Sequence, residues 1–159
     1  MKQENKERKA FDYYICLDYS ERLVGYIVIA KEKVPELLPL ITKLHHYKDI
    51  KYKKSYIQAV KKVLEKNKIA DHLLKCRIKE LKDNLSMFIE ILDFIKQHPE
   101  SNIFISIDDN QDIAFSRLLG MMNLNITTMK ESELKKGSVE HRLSLIIDTM
   151  LNVERVSKK

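Results

Sequence analysis

The sequence predicts an α/β protein with a mixed sheet of about five strands and helices on both faces. Segments rich in Val, Ile, Phe and Tyr are separated by segments whose apolar residues recur at helical spacing. Only 3 glycines and 3 prolines occur among 159 residues, which favours long regular elements over a loop-rich sandwich. The apolar content of 44% is typical of a folded protein with a core.

The chain begins with a charged segment followed by a hairpin. Residues 1–10 are almost wholly polar and predict a flexible N-terminal arm, which leaves 11–159 as a single domain. Residues 12–18 and 22–31 are rich in β-formers, and the short connection between them is typical of an antiparallel hairpin.

Two helices are expected next, the first from Pro35, with a proline acceptable in the first turn, and the second over roughly 48–67. Residues 70–80 fit a strand or the continuation of a helix, and the strand is preferred because Leu74, Cys76 and Ile78 alternate with polar residues.

The remaining elements alternate between helix and strand, so the strands that one helix separates should be parallel. They are a helix over 81–98 with Leu85, Phe88, Ile89, Leu92 and Ile95 in register, a strand over 102–108, a helix from 111, a strand over 125–131 and a helix from 138.

Two of the predicted strands end in carboxylates. Asp18 ends the first strand, and the tract NIFISIDDN ends a later one at Asp108. Functional groups of an open α/β sheet gather at the C-terminal ends of its parallel strands, so Asp18 and Asp108 meet if their strands are neighbours. A third acid can come from Glu80 or Asp83, near the head of the helix over 81–98.

A further acid lies in the final helix. Asp148 is the only acid within the apolar tract LSLIIDTML, where an ionised carboxylate is costly unless it is paired or bound to a cation. Crowded carboxylates raise one another's pKa until a cation neutralises them, and oxygen ligands suit Mg²⁺ or Mn²⁺. Two such ions support in-line phosphoryl displacement, which is nuclease chemistry. The catalytic candidates are Asp18, Glu80, Asp108 and Asp148.

Each acid also has a structural interpretation. Asp109 or Asn110 can cap the following helix, and Asp18 can belong to a turn. Asp148 can pair with an arginine such as Arg142 or Arg117. The second functional hypothesis is therefore a catalytically inactive nucleic-acid or protein interaction module.

The net charge of +6 predicts an acidic partner, with nucleic acid the main candidate. A basic segment can track a phosphate backbone through Lys51, Lys53, Lys54, Lys61 and Lys62, with Tyr47, Tyr52 and Tyr56 as stacking surfaces. The same lysines also fit a solvated helix face. The pair His45-His46 is interpreted as a surface pair, and His141 as a solvated residue or a proton donor.

The order of strands and the placement of acids resemble the ribonuclease H-like superfold from about residue 12 to 155. The tract LDYSE is similar to the Asp-Glu-Ser-Gly strand end of a poorly characterised prokaryotic and phage group, with Tyr19 and Glu21 at the Glu and Gly positions. The tract KES and the later HRLSLIIDTML resemble the ES and LQLADL ending of that group. The resemblance implies that Asp18, Asp108 and Asp148 ligate metal.

Several other classes are disfavoured. The sequence contains no GxxxxGK[ST], GxGxxG or GxSxG motif. Cys16 and Cys76 have no metal-type spacing and are expected to be buried, reduced thiols. No apolar stretch approaches the length of a membrane span and no signal peptide is evident, so no membrane association and a cytoplasmic protein are expected. The oligomeric state is left open.

Overall fold

One five-stranded mixed sheet organises the fold. The computed structural model describes residues 11–120 and 126–157, so the predicted arm over 1–10 lies outside the described residues. The strands are β1 (Tyr13–Ser20), β2 (Leu23–Ala30), β3 (Lys75–Glu80), β4 (Ile103–Ile107) and β5 (Ile126–Lys130), in the order β3-β2-β1-β4-β5. β2 is antiparallel to β1 and β3, whereas β1, β4 and β5 are mutually parallel. The predicted fold class is therefore confirmed.

Helices cover both faces of the sheet, as predicted. They are α1 (Val34–Leu37), α2 (Lys53–Lys66), α3 (Asn84–Lys96), α4 (Asp112–Gly120) and α5 (Val139–Ser157). Residues of α1, α2 and α5 share one apolar cluster with Cys16, while α3 and α4 share the other with Ile15 and Leu17. This division follows from the alternation of side chains along β1. Within the two described ranges, no helix is long and apolar enough to cross a membrane.

The opening hairpin has a two-residue turn. Ser20 pairs with Leu23 in the β1–β2 register, which leaves Glu21 and Arg22 to reverse the chain. Glu21 has a φ of +54°, a left-handed conformation that glycine adopts at lower cost. The expected antiparallel hairpin is confirmed.

The helix expected from Pro35 is much shorter than predicted. α1 ends at Leu37, and a 3-10 turn continues from Leu38 to Ile41. Pro39 explains the change, because it lacks the backbone N–H that a continued α-helix would pair with the Pro35 carbonyl oxygen. The chain then reaches α2 at Lys53 through irregular segments and a further 3-10 turn at Tyr47–Asp49.

The segment over 70–80 does contain the preferred strand, β3, but the prediction that Cys76 is buried is wrong. Both cysteines are free, with Cys16 buried and Cys76 exposed. β3 forms an edge of the sheet, so its side chains receive less cover from the helices. The Cys76 thiol lies 3.6 Å from the sulfur of Met150 on α5.

The buried face of α3 matches the predicted one only in part, since Phe88 and Ile95 are buried but other predicted positions are not. Leu85 and Ile89 are 61% and 49% exposed, whereas Met87, Ile91 and Phe94 are buried. Apolar residues cover most of the circumference of this helix, so helical spacing alone fits more than one face. The face that includes Phe88 and Phe94 is the one that packs on the sheet.

A glycine in β2 allows α5 to pack closely on the sheet. Gly25 is opposite Asp18 in the β1–β2 register. A Cβ atom at Gly25 would lie 3.0 Å from the Ile147 Cδ1 atom and 3.0 Å from the Arg77 carbonyl oxygen. The close approach at Ile147 positions the next residue of α5, Asp148, near the end of β1.

Candidate metal centre

Three carboxylates meet where three parallel strands of the sheet end. Asp18 is near the end of β1, Asp108 directly follows β4, and Glu131 directly follows β5. One carboxylate oxygen from each of these residues lies within 4.8 Å of the other two. Because β1, β4 and β5 are adjacent and parallel, their C-terminal ends share one edge of the sheet. The strand order thus brings the three acids together.

Glu131 was not selected from the sequence as a site residue. It lies in the KES tract, and it starts a 3-10 turn over Glu131–Glu133 immediately after β5. The signal that selects Asp18 and Asp108, an acid at the end of a strand, also applies to Glu131. That signal is weak here because β5 has the sequence ITTMK. The polar residues Thr127 and Thr128, both exposed, interrupt the apolar pattern that identifies β1 and β4.

Asp148 lies beside the three-acid group and is buried, with 5% exposure. Its Oδ2 atom accepts a hydrogen bond of 2.9 Å from the Tyr47 backbone N–H. Asp148 and Glu131 flank the same imidazole, that of His46, and the Asp148 charge also raises the pKa of Asp18. Neither arginine of the alternative interpretation pairs with Asp148. The Arg142 guanidinium donates a 2.7 Å hydrogen bond to the Leu38 carbonyl oxygen, and Arg117 is exposed on α4, which packs on the other face of the sheet.

The other two predicted acids, Glu80 and Asp83, lie farther from β1 along the C-terminal ends of the strands. Glu80 ends β3 and is exposed, and its register partner is Leu23 at the start of β2. Two strand spacings therefore separate β3 from β1. Asp83 ends the 3-10 turn that precedes α3. Neither Glu80 nor Asp83 belongs to the group of acids whose oxygens meet.

The adjacent aspartates after β4 have different partners. The Asp108 Oδ2 atom accepts a 2.8 Å hydrogen bond from the Asn110 N–H. The Asp109 Oδ1 atom accepts a 3.1 Å hydrogen bond from the Ser132 N–H, in the turn after β5. Asp109 therefore joins the ends of β4 and β5, a contact that the helix-cap interpretation did not include. This contact helps hold Asp108 next to Glu131.

The carboxylates perturb one another's protonation. Burial, together with the charges of Glu131 and Asp148, raises the pKa of Asp18 well above its ordinary value. Burial and the Glu131 charge also raise the pKa of Asp108, although its hydrogen bond to the Asn110 N–H acts in the opposite direction. Burial raises the pKa of Asp148 as well. Burial is the main cause at all three residues, and the Glu131 charge adds to it at each.

One histidine lies between two of the acids. The His46 Nε2 atom is 3.7 Å from the Glu131 Oε1 atom, and its Nδ1 atom is 3.9 Å from the Asp148 Oδ1 atom. The interaction with Glu131 raises the pKa of His46. The surface interpretation of the histidine pair therefore fits His45, which is exposed, but not His46, which is partly buried.

The position of His46 is fixed by its neighbours in the chain. The Tyr56 hydroxyl, on α2, donates a 2.9 Å hydrogen bond to the His45 carbonyl oxygen and accepts one of 2.7 Å from the His45 N–H. The Tyr47 N–H is bonded to Asp148. The backbone is thus anchored on both sides of His46, to α2 and to α5.

No protein-family model matches the sequence, and a search of curated proteins found no significant match. A functional assignment therefore depends on the geometry of the site and on the chemistry of its donor atoms.

The donor set fits a hard divalent cation. Three carboxylate oxygens within 4.8 Å of one another need only small side-chain movements to reach the ligand distance of about 2.1 Å that Mg²⁺ requires. The group contains no thiolate, and oxygen-rich sites suit Mg²⁺ or Mn²⁺ over softer metals. The raised pKa of Asp18 and of Asp108 is consistent with acids arranged to share a cation.

An open cleft of about 620 Å³ adjoins the acids. Asp108 and Glu131 line it, and Asp18 is buried next to them. Lys48 and Lys136 also line the cleft, and both are exposed. The cleft therefore combines carboxylates with basic side chains at its rim.

The predicted basic segment lies on and just before α2, on the same face of the sheet as α5. All five predicted lysines are exposed, namely Lys51, Lys53, Lys54, Lys61 and Lys62. Of the three tyrosines, Tyr47 has its ring beneath Lys53 and Arg155, with the Lys53 Nζ atom 5.4 Å from the ring centroid. Tyr52 is 71% exposed.

Proposed function

We propose that the protein is a divalent-metal-dependent nuclease that cleaves nucleic acid phosphodiesters. The observation that carries the proposal is the meeting of Asp18, Asp108 and Glu131 at the ends of three adjacent parallel strands. Two exposed lysines, Lys48 and Lys136, line the adjoining cleft beside the acids and can contact an anionic substrate.

The fold is compatible with the proposal. The strand order β3-β2-β1-β4-β5, with β2 as the antiparallel strand, is compatible with a ribonuclease H-like domain. The resemblance of LDYSE and HRLSLIIDTML to the prokaryotic group with the Asp-Glu-Ser-Gly strand end agrees with this assignment. In the proposed assignment, Asp18 and Asp148 occupy the positions that the resemblance implies.

The residues have separable proposed roles. Asp18, Asp108 and Glu131 would hold Mg²⁺ or Mn²⁺, with Asp148 as the adjacent acid. The ions supply activation of water and stabilisation of the phosphoryl charge when bound. Asp109 holds the ends of β4 and β5 together through the Ser132 N–H, and Tyr47 orients Asp148 through its own N–H. Lys48 and Lys136 would attract the phosphate backbone into the cleft.

The first experiment measures Mn²⁺ and Mg²⁺ binding by calorimetry for the wild type, Asp108→Asn and Glu131→Gln. Loss of binding in both variants supports the metal centre, provided that both remain folded. Glu100→Gln, an exposed acid outside the cluster, is the matched control. Glu80→Gln tests whether the acid predicted from the sequence contributes.

Cleavage assays on RNA, DNA and hybrid substrates then test the reaction. Metal-dependent cleavage that disappears in Asp108→Asn and persists in Glu100→Gln is the expected result. Wild-type protein that binds no divalent ion would exclude the metal-dependent nuclease.

A catalytically inactive interaction module is the second candidate. The specific observation in its favour is His46, which places a potential cation between Glu131 and Asp148. If His46 compensates the acids without metal, the wild type binds nucleic acid or protein but no divalent ion. Divalent-ion binding that is absent from the wild type but present in His46→Ala would support this alternative.

A further inference from the structure

We propose that the cleft beside the acids binds single-stranded nucleic acid, with Tyr52 stacking on an unpaired base and Lys48 and Lys136 pairing with backbone phosphates. This inference specifies the substrate class of the proposed nuclease and rests on that proposed function.

The rim of the cleft provides the phosphate contacts. Lys48 and Lys136 line the same cleft as Asp108 and Glu131, and both lysines are exposed. Lys48 lines the cleft together with Asp109, the second residue after β4, so Lys48 lies near the end of that strand. Each lysine can pair with a backbone phosphate of a strand whose scissile bond approaches the acids.

The proposed stacking residue, Tyr52, directly follows the segment that lines the cleft. His45, His46, Lys48, Asp49 and Ile50 line the cleft, and Tyr52 follows Ile50 by two positions. Two extended residues span at most about 7 Å, so Tyr52 lies close to the mouth of the cleft.

Tyr52 is the tyrosine of this segment with a ring open to a ligand. The Tyr56 hydroxyl is bonded to the His45 backbone, and the Tyr47 ring lies against Lys53 and Arg155. Tyr52 is 71% exposed, and the Lys51 Nζ atom lies 5.5 Å from the centroid of its ring. An exposed ring with an adjacent cation is the combination that binds a base together with its phosphate.

A single strand fits this arrangement better than a duplex. Asp18 is 4% exposed, so a phosphodiester must enter the cleft to approach the acids. A cleft of about 620 Å³ has the size of a pocket for a drug-sized ligand, which matches short stretches of one strand rather than a double helix. Stacking on Tyr52 also requires a base whose face is free, and only unpaired bases offer one.

Fluorescence anisotropy of a short labelled oligonucleotide tests the inference. All variants carry Asp108→Asn, so that cleavage does not interfere, and binding is measured for the single strand and for its duplex. Tyr52→Ala is expected to weaken single-strand binding by about fivefold or more, and Tyr52→Phe is expected to retain it. Lys48→Ala and Lys136→Ala are each expected to reduce the slope of log K against log salt by about 0.7.

The matched controls lie on the opposite face of the sheet. Leu85→Ala and Lys96→Ala alter exposed residues of α3 and should leave binding unchanged. Duplex binding as tight as single-strand binding, or equal binding by Tyr52→Ala and Tyr52→Phe, would overturn the inference.

Cleavage is scored separately with Asp108 intact. Selective single-strand binding without any cleavage would overturn the proposed nuclease but retain the binding surface. Cleavage together with duplex preference would retain the nuclease and overturn the single-strand assignment.

Discussion

Gly25 of β2 and Ile147 of α5 are in such close contact that a Cβ atom on the glycine would lie 3.0 Å from the Ile147 Cδ1 atom. Gly25 is also the register partner of Asp18, and Ile147 precedes Asp148. The absence of a side chain at one position of β2 therefore controls how closely two of the acids approach.

Gly25→Ala is expected to destabilise the fold by about 1–3 kcal/mol, because the added methyl group overpacks the contact between β2 and α5. The Arg77 carbonyl oxygen, which would also lie 3.0 Å from the added methyl group, belongs to backbone and yields little. Urea unfolding measures the effect. Gly120→Ala is the control, because, outside its own helix backbone and chain neighbours, no atom of the described residues lies within 4 Å of its added Cβ, and its stability should be unchanged or slightly increased.

Asp18→Asn is expected to stabilise the metal-free protein at neutral pH, by an amount on the order of 1 kcal/mol. The pKa of Asp18 in the folded state is raised above its ordinary value of 3.8, mainly by burial. The folded state therefore binds this proton more tightly than the unfolded state does. The contribution of Asp18 to stability is complete below pH 3.8 and is lost as the pH rises through the folded-state pKa.

The test compares thermal unfolding of the wild type and Asp18→Asn without divalent ions, from below pH 3.8 up to neutral pH. The difference between the two proteins should grow as the pH rises, since the asparagine does not ionise. The Tyr19 N–H, which donates a 2.8 Å hydrogen bond to the Asp18 Oδ1 atom, retains an acceptor in the variant. A variant that is less stable than the wild type at neutral pH would contradict the argument.

Glu90→Ala is expected to cost about 1–3 kcal/mol of unfolding free energy, because it leaves the hydroxyl of Tyr26 without its acceptor. The Tyr26 side chain has no solvent exposure, and its hydroxyl donates a 2.8 Å hydrogen bond to Glu90 on α3. Arg77 and Lys79 of β3 also pair with the Glu90 carboxylate, at 3.3 and 3.2 Å.

A double-mutant cycle with Tyr26→Phe isolates the hydrogen bond. The cost of Glu90→Ala should be smaller in the Tyr26→Phe background, because the unpaired hydroxyl is no longer present. Glu65→Ala, at an exposed position on α2, controls for the general loss of a helix carboxylate. Strictly additive effects of the two substitutions would show that the hydrogen bond contributes nothing.

Tyr56→Phe is expected to loosen the chain around His46 without unfolding α2. The substitution removes both hydrogen bonds to the His45 backbone and should cost about 1 kcal/mol. Hydrogen exchange measures the local effect, with faster exchange expected at the His45 and Tyr47 amides. Unchanged exchange at both amides would show that other contacts hold this segment.

The sequence predicted the structure best where the local residue pattern of an element agreed with the place of that element in the sheet. The apolar runs of β1 and β4 locate both strands, and the rule that acids gather at parallel strand ends brings Asp18 and Asp108 together. The preferred strand interpretation of residues 70–80 was also correct for Lys75–Glu80.

Other features depended on tertiary arrangement. Glu131 joins the cluster because β5 is adjacent to β4, and its exposed strand carries little apolar signal. Glu80 ends a strand as well, but β3 lies at the edge of the sheet, away from the centre. Leu85 and Ile89 are exposed because α3 offers more than one apolar face, and Pro39 shortens the helix that helical spacing predicted.

The acidic cluster is assembled from β1, from the ends of β4 and β5, and from α5. During synthesis, Asp18 leaves the ribosome long before Glu131 and Asp148, so the carboxylates come together only as the sheet and α5 assemble. A nascent chain therefore meets the electrostatic cost of its own centre in the same step that completes its core. A cation that binds all the acids would recognise only the finished protein, and would thus favour it over every partly folded form.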